Sequence, residues 1–185
     1  MLDINLIDGY SHEKKSLKEC SKDDHHNSVT DYLVSFEFKV IPFEHGLREI
    51  YLKKRIEAVS QEYQYLAVCD SLHIHNDHIY LIEFKNGKVD NREIKRQVNS
   101  SLLILLDILQ TNIHCLKQSI SFILVYNEDK NKTEKTKGSI MATGLYKKTY
   151  PVRFDLKPYE ELYFKDVHTL TADQFEKVFV SEWDT

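Results

Sequence analysis

The stretch at residues 81–89, "LIEFKNGKV", places two charged side chains inside an otherwise apolar run. Leu, Ile and Phe favour a β-strand here, and Asn86–Gly87 marks the turn that ends it. Side chains two positions apart on a strand share a face of the sheet, so we expect Glu83 and Lys85 to lie side by side. Burying either charge is costly without compensation, which makes this strand face the first candidate for a site.

A second strand is predicted just upstream. Residues 63–72, "YQYLAVCDSL", are rich in strand-forming residues, and the polar "HIHND" connects them to a strand at 78–85. If the two strands form a hairpin, Asp70 comes close to Glu83. Two adjacent carboxylates repel each other, and a divalent cation removes that cost. Oxygen ligands of this kind suit Mg²⁺ or Mn²⁺ better than zinc.

Further strands and helices are predicted on both sides of this hairpin from the spacing of apolar residues. They are a strand in residues 32–43 ended by Pro42, a helix in 45–63, a helix in 92–110 capped by Asp90 or Asn91, a buried strand in 119–127, an edge strand in 151–156 and a short helix in 171–180. Within the second helix, "LLILLDIL" is apolar nearly all round, so we expect it to lie deep in the fold. Strands alternating with helices predict an α/β protein, a three-layer sandwich around a central mixed β-sheet.

The residues of the hairpin carry a resemblance to a known family. Cys69–Asp70, twelve intervening residues and then Glu83, Phe84 and Lys85 resemble the motif of the PD-(D/E)xK superfamily of restriction-endonuclease-like nucleases, with a cysteine where the motif name has proline. The resemblance implies a restriction-endonuclease-like core at about residues 44–126. It also implies that Asp70 and Glu83 bind the metal ion together with the backbone carbonyl of Phe84. Lys85 would then orient or help deprotonate the attacking water and stabilise charge on the phosphate.

The same resemblance implies further site residues on the two flanking helices. The superfamily often adds an acid from the helix before the hairpin, for which Glu57 is the preferred candidate, ahead of Glu49 and the more remote Glu44. The helix after the hairpin can supply a glutamine and contacts to backbone phosphates. The candidates for contact with nucleic acid there are Arg92, Lys95, Arg96 and Gln97.

The resemblance therefore implies a metal-dependent nuclease. It would use Mg²⁺ or Mn²⁺ to hydrolyse phosphodiester bonds of DNA, with RNA as the other candidate and the choice of endonuclease or exonuclease open. A bacterial or phage defence or mobile-element setting is implied by the resemblance and the small size of the chain.

Three alternatives stay open at this point. The chain could be a catalytically inactive nuclease-fold binding module or a subunit of a larger complex, in which the Lys-rich loop at 130–137 and exposed aromatics matter more than the motif. Glu83 and Lys85 could form a plain cross-strand ion pair. A zinc site could use His73, His75 and His78. A homodimer or a separate protein partner is also left open.

Composition limits the remaining classes. The chain has 185 residues, a net charge of −4 and three cysteines without a CxxC pair, which favours a reduced, cytoplasmic setting. The start of the chain lacks the pattern of a signal peptide, and its longest apolar run is too short to cross a membrane. We expect a polar, mobile segment at 1–30 and one domain at 31–185, with an aromatic-rich C-terminal part that stacks bases or packs a small second cluster.

Overall fold

The computed structural model describes residues 2–11, 13–23, 31–56, 66–132 and 150–183. Its strands are β1 (Lys15–Ser16), β2 (Lys22–Asp23), β3 (Asp31–Tyr32), β4 (Lys39–Pro42), β5 (Ser71–His75), β6 (His78–Lys85), β7 (Ile120–Tyr126) and β8 (Asp166–Leu170). Its α-helices are α1 (Leu17–Cys20), α2 (Arg48–Arg55), α3 (Asn91–Ile108), α4 (Ile113–Lys117), α5 (Lys157–Leu162), α6 (Ala172–Phe175) and α7 (Ser181–Trp183). Short 3₁₀ or π-helical segments cover Ile4–Tyr10, Phe43–Leu47, Asp129–Asn131 and Glu176–Val180.

A mixed six-stranded sheet with the order β1-β4-β5-β6-β7-β8 forms the centre of the protein. Strands β1, β4, β5 and β6 pair antiparallel, whereas β6, β7 and β8 pair parallel. Helix α3 is the crossover that a parallel β6–β7 pair requires. The structure therefore confirms the predicted α/β class and its central mixed sheet.

Helical segments cover both faces of this sheet. Along β6, Ile79 and Leu81 belong to the core that contains the apolar side of α3, while Ile82 and Phe84 belong to the core on the opposite face. This division follows the two-residue alternation of side chains along a strand. It also places Glu83, which lies between Leu81 and Lys85 in that alternation, on the face covered by α3.

Helix α3 begins where the sequence predicts. The Asp90 side chain accepts hydrogen bonds from the main-chain N–H groups of Arg92 and Glu93, at N-to-Oδ1 distances of 2.7 and 3.4 Å. Such an N-cap stabilises a helix by about 1 kcal/mol. The prediction that the apolar second half of α3 lies deep in the fold fails at one position, because Leu103 is 67% exposed. The helix has one solvent face along its length.

Two predicted strands differ in extent from those observed. Of the strand expected over 32–43, only β4 (Lys39–Pro42) pairs in the central sheet. This strand ends at Pro42 as predicted. Residues 63–65 of the strand expected over 63–72 lie outside the described residues; in the described part the strand begins at Ser71 instead, and it continues through His75. The connection is the two-residue turn Asn76–Asp77, whose positive φ angles of 50° and 57° are typical of a type I′ hairpin.

The C-terminal third differs most from the prediction. No strand forms in the described residues 151–156, because Phe154 and Asp155 adopt positive φ angles of 61° and 54° and turn the chain. Strand β8 and helix α5 follow, and the sequence did not predict either. The short helix expected at 171–180 is confirmed in α6, where Thr171 forms a capping box with Gln174.

Both ends of the chain contribute to the two cores. Within the segment 1–30, Ile7 packs into the core beneath α3 and Leu17 into the opposite core. Phe164 is fully buried beside Phe122, at a ring-centroid distance of 5.7 Å, and Trp183 packs with the opposite core. These three aromatic residues therefore pack the interior of the protein. Among the described residues, no helix has the length and apolar character needed to cross a membrane.

Candidate active site

Asp70 and Glu83 lie on neighbouring extended segments. Asp70 immediately precedes β5, whose first residue, Ser71, pairs with Ile82, the residue before Glu83. The Asp70 carboxylate accepts a hydrogen bond from the main-chain N–H of Phe84, with an N-to-Oδ2 distance of 2.6 Å. The geometry thus brings together the two acids that the sequence singles out.

Main-chain contacts fix the backbone around Asp70. Its carbonyl accepts a hydrogen bond from the N–H of Phe43 at 2.9 Å. One residue earlier, the N–H of Cys69 donates to the Ser101 hydroxyl of α3, also at 2.9 Å. Asp70 is therefore held between the end of β4 and helix α3, although the residues just before Ser71 are not part of the β5 ladder.

The Glu83 carboxylate is fully buried beneath α3. Within the described part of the chain, neither of its oxygens has a hydrogen-bond partner of acceptable geometry. The Lys85 ammonium is 3.0 Å from Glu83 Oε1, but this close ionic contact lacks the angles of a directed hydrogen bond. Lys85 and Gln97 are the side chains that favour its charged form, and a bound cation would add a further partner.

Burial raises the pKa of both acids. The pKa of Glu83 rises to about 7, because burial outweighs the opposing effects of Lys85 and Gln97. The pKa of Asp70 rises well above its ordinary value through burial first and the Glu83 carboxylate second. Each acid makes the negative charge of the other less favourable, so the pair retains both charges readily only with a cation beside it.

Lys85 lies between two carboxylates. Its Nζ is 3.0 Å from Glu83 Oε1 and 2.9 Å from Glu93 Oε1, a residue on the first turn of α3. Burial disfavours the ammonium form, but the two carboxylates outweigh burial and raise the pKa of Lys85. Glu93 is not among the residues that the sequence singles out as candidates. An acid eight residues after the lysine, just past the N-cap of the next helix, is the signal that could have revealed it.

In the part of the chain that the structure describes, the predicted acids before the hairpin are not shown in contact with the acid pair. Glu57, the preferred candidate, lies outside the described residues. Glu49 is 3.9 Å from the His45 side chain. The Glu44 carboxylate is 3.5 Å from the Arg48 guanidinium, and it is the smallest contributor to the raised pKa of Asp70, after burial and Glu83.

The predicted nucleic-acid contacts on α3 divide into two groups. Arg92 and Arg96 are exposed and Lys95 is half-buried, so all three reach the surface. Gln97 is buried on the inner side of the helix, where its side chain opposes the rise in the pKa of Glu83. Its position suits a role next to the acid pair, and it is not accessible to a phosphate at the surface.

The histidines of the β5–β6 hairpin belong to a different environment. The His73 ring lies 4.4 Å from the Trp183 ring, and burial lowers the pKa of His73 to about 4. His78 Nε2 is 2.8 Å from the Ser121 hydroxyl. No group of three or more His, Cys, Asp or Glu side chains arranged to hold a metal ion occurs in the described ranges. This geometry gives the zinc alternative no support.

The donor set around Glu83 nevertheless fits a hard divalent cation. Asp70 and Glu83 supply carboxylate oxygens, and the backbone carbonyl of Phe84 lies between Glu83 and Lys85 in the chain. Mg²⁺ binds oxygen ligands and commonly keeps several waters, so one or two carboxylates suffice for it. The burial of both acids and the repulsion between them, which raise their pKa values, are the features that a cation here would relieve.

Comparisons with known proteins add no family assignment. No protein-family profile, curated protein or solved structure significantly matches the chain. The geometry and chemistry of the acid pair and Lys85 are therefore the basis for interpreting the site.

Proposed function

We propose that this chain is a divalent-metal-dependent nuclease that hydrolyses phosphodiester bonds of DNA. The observation that carries the proposal is the buried Asp70–Glu83 pair with the Lys85 ammonium 3.0 Å from Glu83. Beside two adjacent buried acids, one lysine compensates a single negative charge, and the second charge needs a proton or a cation. In a site that binds a metal ion and then a phosphate, the two acids bind the ion and the lysine binds the phosphate.

The order of elements supports the same proposal. Helix α2 precedes the antiparallel pair β5–β6, and helix α3 leads from β6 to the parallel strand β7. This is the order expected of a restriction-endonuclease-like core, with the acid before β5 and the Glu-x-Lys sequence at the end of β6. We propose that residues 44–126 form such a core.

The proposed roles follow from the position of each group. Asp70, Glu83 and the Phe84 carbonyl would hold Mg²⁺ or Mn²⁺, with Glu44 available as a further acid. When bound, the ion lowers the pKa of a water molecule and polarises the phosphoryl oxygen. Lys85 keeps its ammonium at the mouth of the site, where it stabilises negative charge on the phosphate.

Positive charge near the site provides a surface for the nucleic-acid backbone. Arg92 and Arg96 lie on α3, the helix whose first turn carries Glu93 in contact with Lys85. Backbone phosphates are the groups that such side chains bind, and these contacts position the substrate without reading its sequence. With a net charge of −4, the chain depends on this local surface.

Cleavage assays test the proposal. The full chain is incubated with Mg²⁺ and a mixed pool of single- and double-stranded DNA and RNA, beside Lys85→Ala and the control Lys18→Ala, which removes an exposed lysine paired with Glu37. We expect Mg²⁺-dependent cleavage by the wild type and the control, and a loss of about 10²–10³-fold in Lys85→Ala. Equal cleavage by the wild type and Lys85→Ala would refute the assignment.

A binding protein without catalysis is the second candidate. It is favoured by the two carboxylates that engage Lys85 and by the lack of a three-ligand group in the described residues. Calorimetry with Mg²⁺ and Mn²⁺ distinguishes the two. Binding heat that disappears in Asp70→Asn supports the nuclease, and no heat in either protein supports the binding module.

A further inference from the structure

The two carboxylates that contact Lys85 differ in their access to solvent. Glu83 is fully buried, whereas the Glu93 side chain is 45% exposed. The Lys85 side chain itself is 16% exposed. Glu83 therefore occupies the inner side of the ammonium, and Glu93 occupies the side nearer to solvent.

The turn between β6 and α3 sets the position of Glu93. The Asn131 side chain accepts a hydrogen bond from the Val89 N–H and donates one to the Gly87 carbonyl, each at 2.9 Å. Asp90 then caps the first turn of α3, including the N–H of Glu93. The contact between Glu93 and Lys85 thus rests on a turn with its own hydrogen bonds.

A phosphodiester that reaches Lys85 from solvent has to compete with Glu93. Both groups are anions, and both accept hydrogen bonds from the N–H groups of Lys85 that face solvent. A part-exposed ion pair is worth only about 0.2–1 kcal/mol, so a phosphate with additional contacts can displace Glu93. Glu83 is fully buried and has no comparable route to solvent.

We propose that Glu93 occupies, in the free protein, the place on Lys85 that a backbone phosphate of the nucleic acid takes in the complex. The inference rests on the proposed function, since it requires a nucleic-acid phosphate at this site. Glu93 acts as a gating residue: it keeps the Lys85 ammonium in position before the substrate binds and opposes any anion that does not displace it. Its removal strengthens nucleic-acid binding, and the gain depends on Lys85.

Fluorescence anisotropy with labelled single- and double-stranded DNA in EDTA tests the inference without any cleavage. The variants are Glu93→Gln and the matched control Glu160→Gln, which also breaks a 2.9 Å carboxylate–lysine ion pair on the first turn of a helix. We expect Glu93→Gln to lower Kd by about 1.4–5-fold, as 0.2–1 kcal/mol implies, and Glu160→Gln to leave Kd unchanged.

The same measurement in a Lys85→Gln background assigns the effect to the ion pair. We expect the gain from Glu93→Gln to disappear there, with circular dichroism confirming the fold; Lys85→Met replaces Lys85→Gln if that variant does not fold. An equal gain in both backgrounds, an equal gain in Glu160→Gln, no gain, or no DNA binding by either protein would each overturn the inference. Because binding is measured without Mg²⁺, failure of the nuclease proposal shows separately, as a lack of cleavage.

Discussion

The main-chain N–H of Phe84 donates a hydrogen bond to the Asp70 carboxylate, with an N-to-Oδ2 distance of 2.6 Å. A side chain from one extended segment thus binds the backbone of the next strand, directly beside Glu83. The bond fixes the Asp70 carboxylate where burial raises its pKa and where the charge of Glu83 raises it further. The free protein holds this acid pair at an energetic cost, which a bound cation would relieve.

Asp70→Asn should remove metal binding while keeping the fold. The amide oxygen of asparagine can still accept the hydrogen bond from Phe84, so only the charge is lost. We expect the calorimetric heat of Mn²⁺ binding to disappear and Mg²⁺-dependent cleavage to fall by at least about 10²-fold. Asp77→Asn makes the same change at the exposed β5–β6 turn and should behave as wild type. Unchanged Mn²⁺ affinity in Asp70→Asn contradicts the proposed site.

Glu83 should make the metal-free protein less stable as pH rises. Its folded pKa, about 7, is above the ordinary value of 4.5, so the folded state binds this proton more tightly than the unfolded state does. The stabilisation is complete below about pH 4.5 and is lost as pH rises through 7, amounting to about 3 kcal/mol at most. Urea denaturation in EDTA across this range measures it.

A comparison with Glu83→Gln isolates this contribution. Burial lowers the pKa values of His73, His78 and His168, and these groups change stability with pH in the opposite direction. They are common to both proteins, so the difference in unfolding free energy between wild type and Glu83→Gln reports Glu83 together with its effect on Asp70. We expect Glu83→Gln to gain relative to wild type from about pH 5 to about pH 8. A difference that does not vary with pH argues against a raised pKa.

Divalent cations should stabilise the protein, and more strongly at alkaline pH. A ligand that binds only the folded state adds about 2.7 kcal/mol at a concentration of 100 times its Kd. Protonation of Asp70 and Glu83 competes with the cation, so the increase in Tm caused by Mg²⁺ should be larger at about pH 8 than at about pH 5.5. Thermal denaturation with and without Mg²⁺ measures the difference. An equal shift in Asp70→Asn would place the cation elsewhere.

Much of the region around the site could be predicted from the sequence. Strand β6 and the fully buried β7 have apolar β-branched and aromatic runs bounded by turn residues, and α3 has both an N-cap and helical spacing. These signals are local, so they can be recognised without knowledge of the tertiary structure. The same locality made the neighbourhood of Asp70 and Glu83 predictable, since a hairpin joins their two strands.

Other features depend on contacts that the sequence does not show. Strand β8 is only five residues long, contains Asp166 and His168, and is ordered by pairing with β7 from a distance along the chain. His73 and His75 look like a polar loop but are part of β5, where they pair with Tyr80 and His78 of β6 and the Trp183 ring packs on His73. Glu93 meets Lys85 only through the geometry of the intervening turn. Tertiary contacts decide all three.

Ser101→Ala should weaken both the fold and the site. The Ser101 hydroxyl accepts a hydrogen bond from the N–H of Cys69. Removing the hydroxyl leaves this buried N–H unpaired next to Asp70. We expect the free energy of unfolding to fall by about 1–3 kcal/mol, measured by urea denaturation, and Mn²⁺ affinity to fall as well. Ser100→Ala, at the half-buried neighbouring position, serves as the control. Wild-type stability in Ser101→Ala would show that the hydroxyl does not hold this backbone.

A crystal soaked in Mn²⁺ is the decisive experiment for the proposed metal site. We predict an anomalous difference peak between the carboxylates of Asp70 and Glu83, at coordination distance from both, with the Lys85 ammonium beside it. A fully soaked crystal with no peak at this position, or with the two carboxylates turned away from each other, would contradict the assignment of the acid pair as a metal centre.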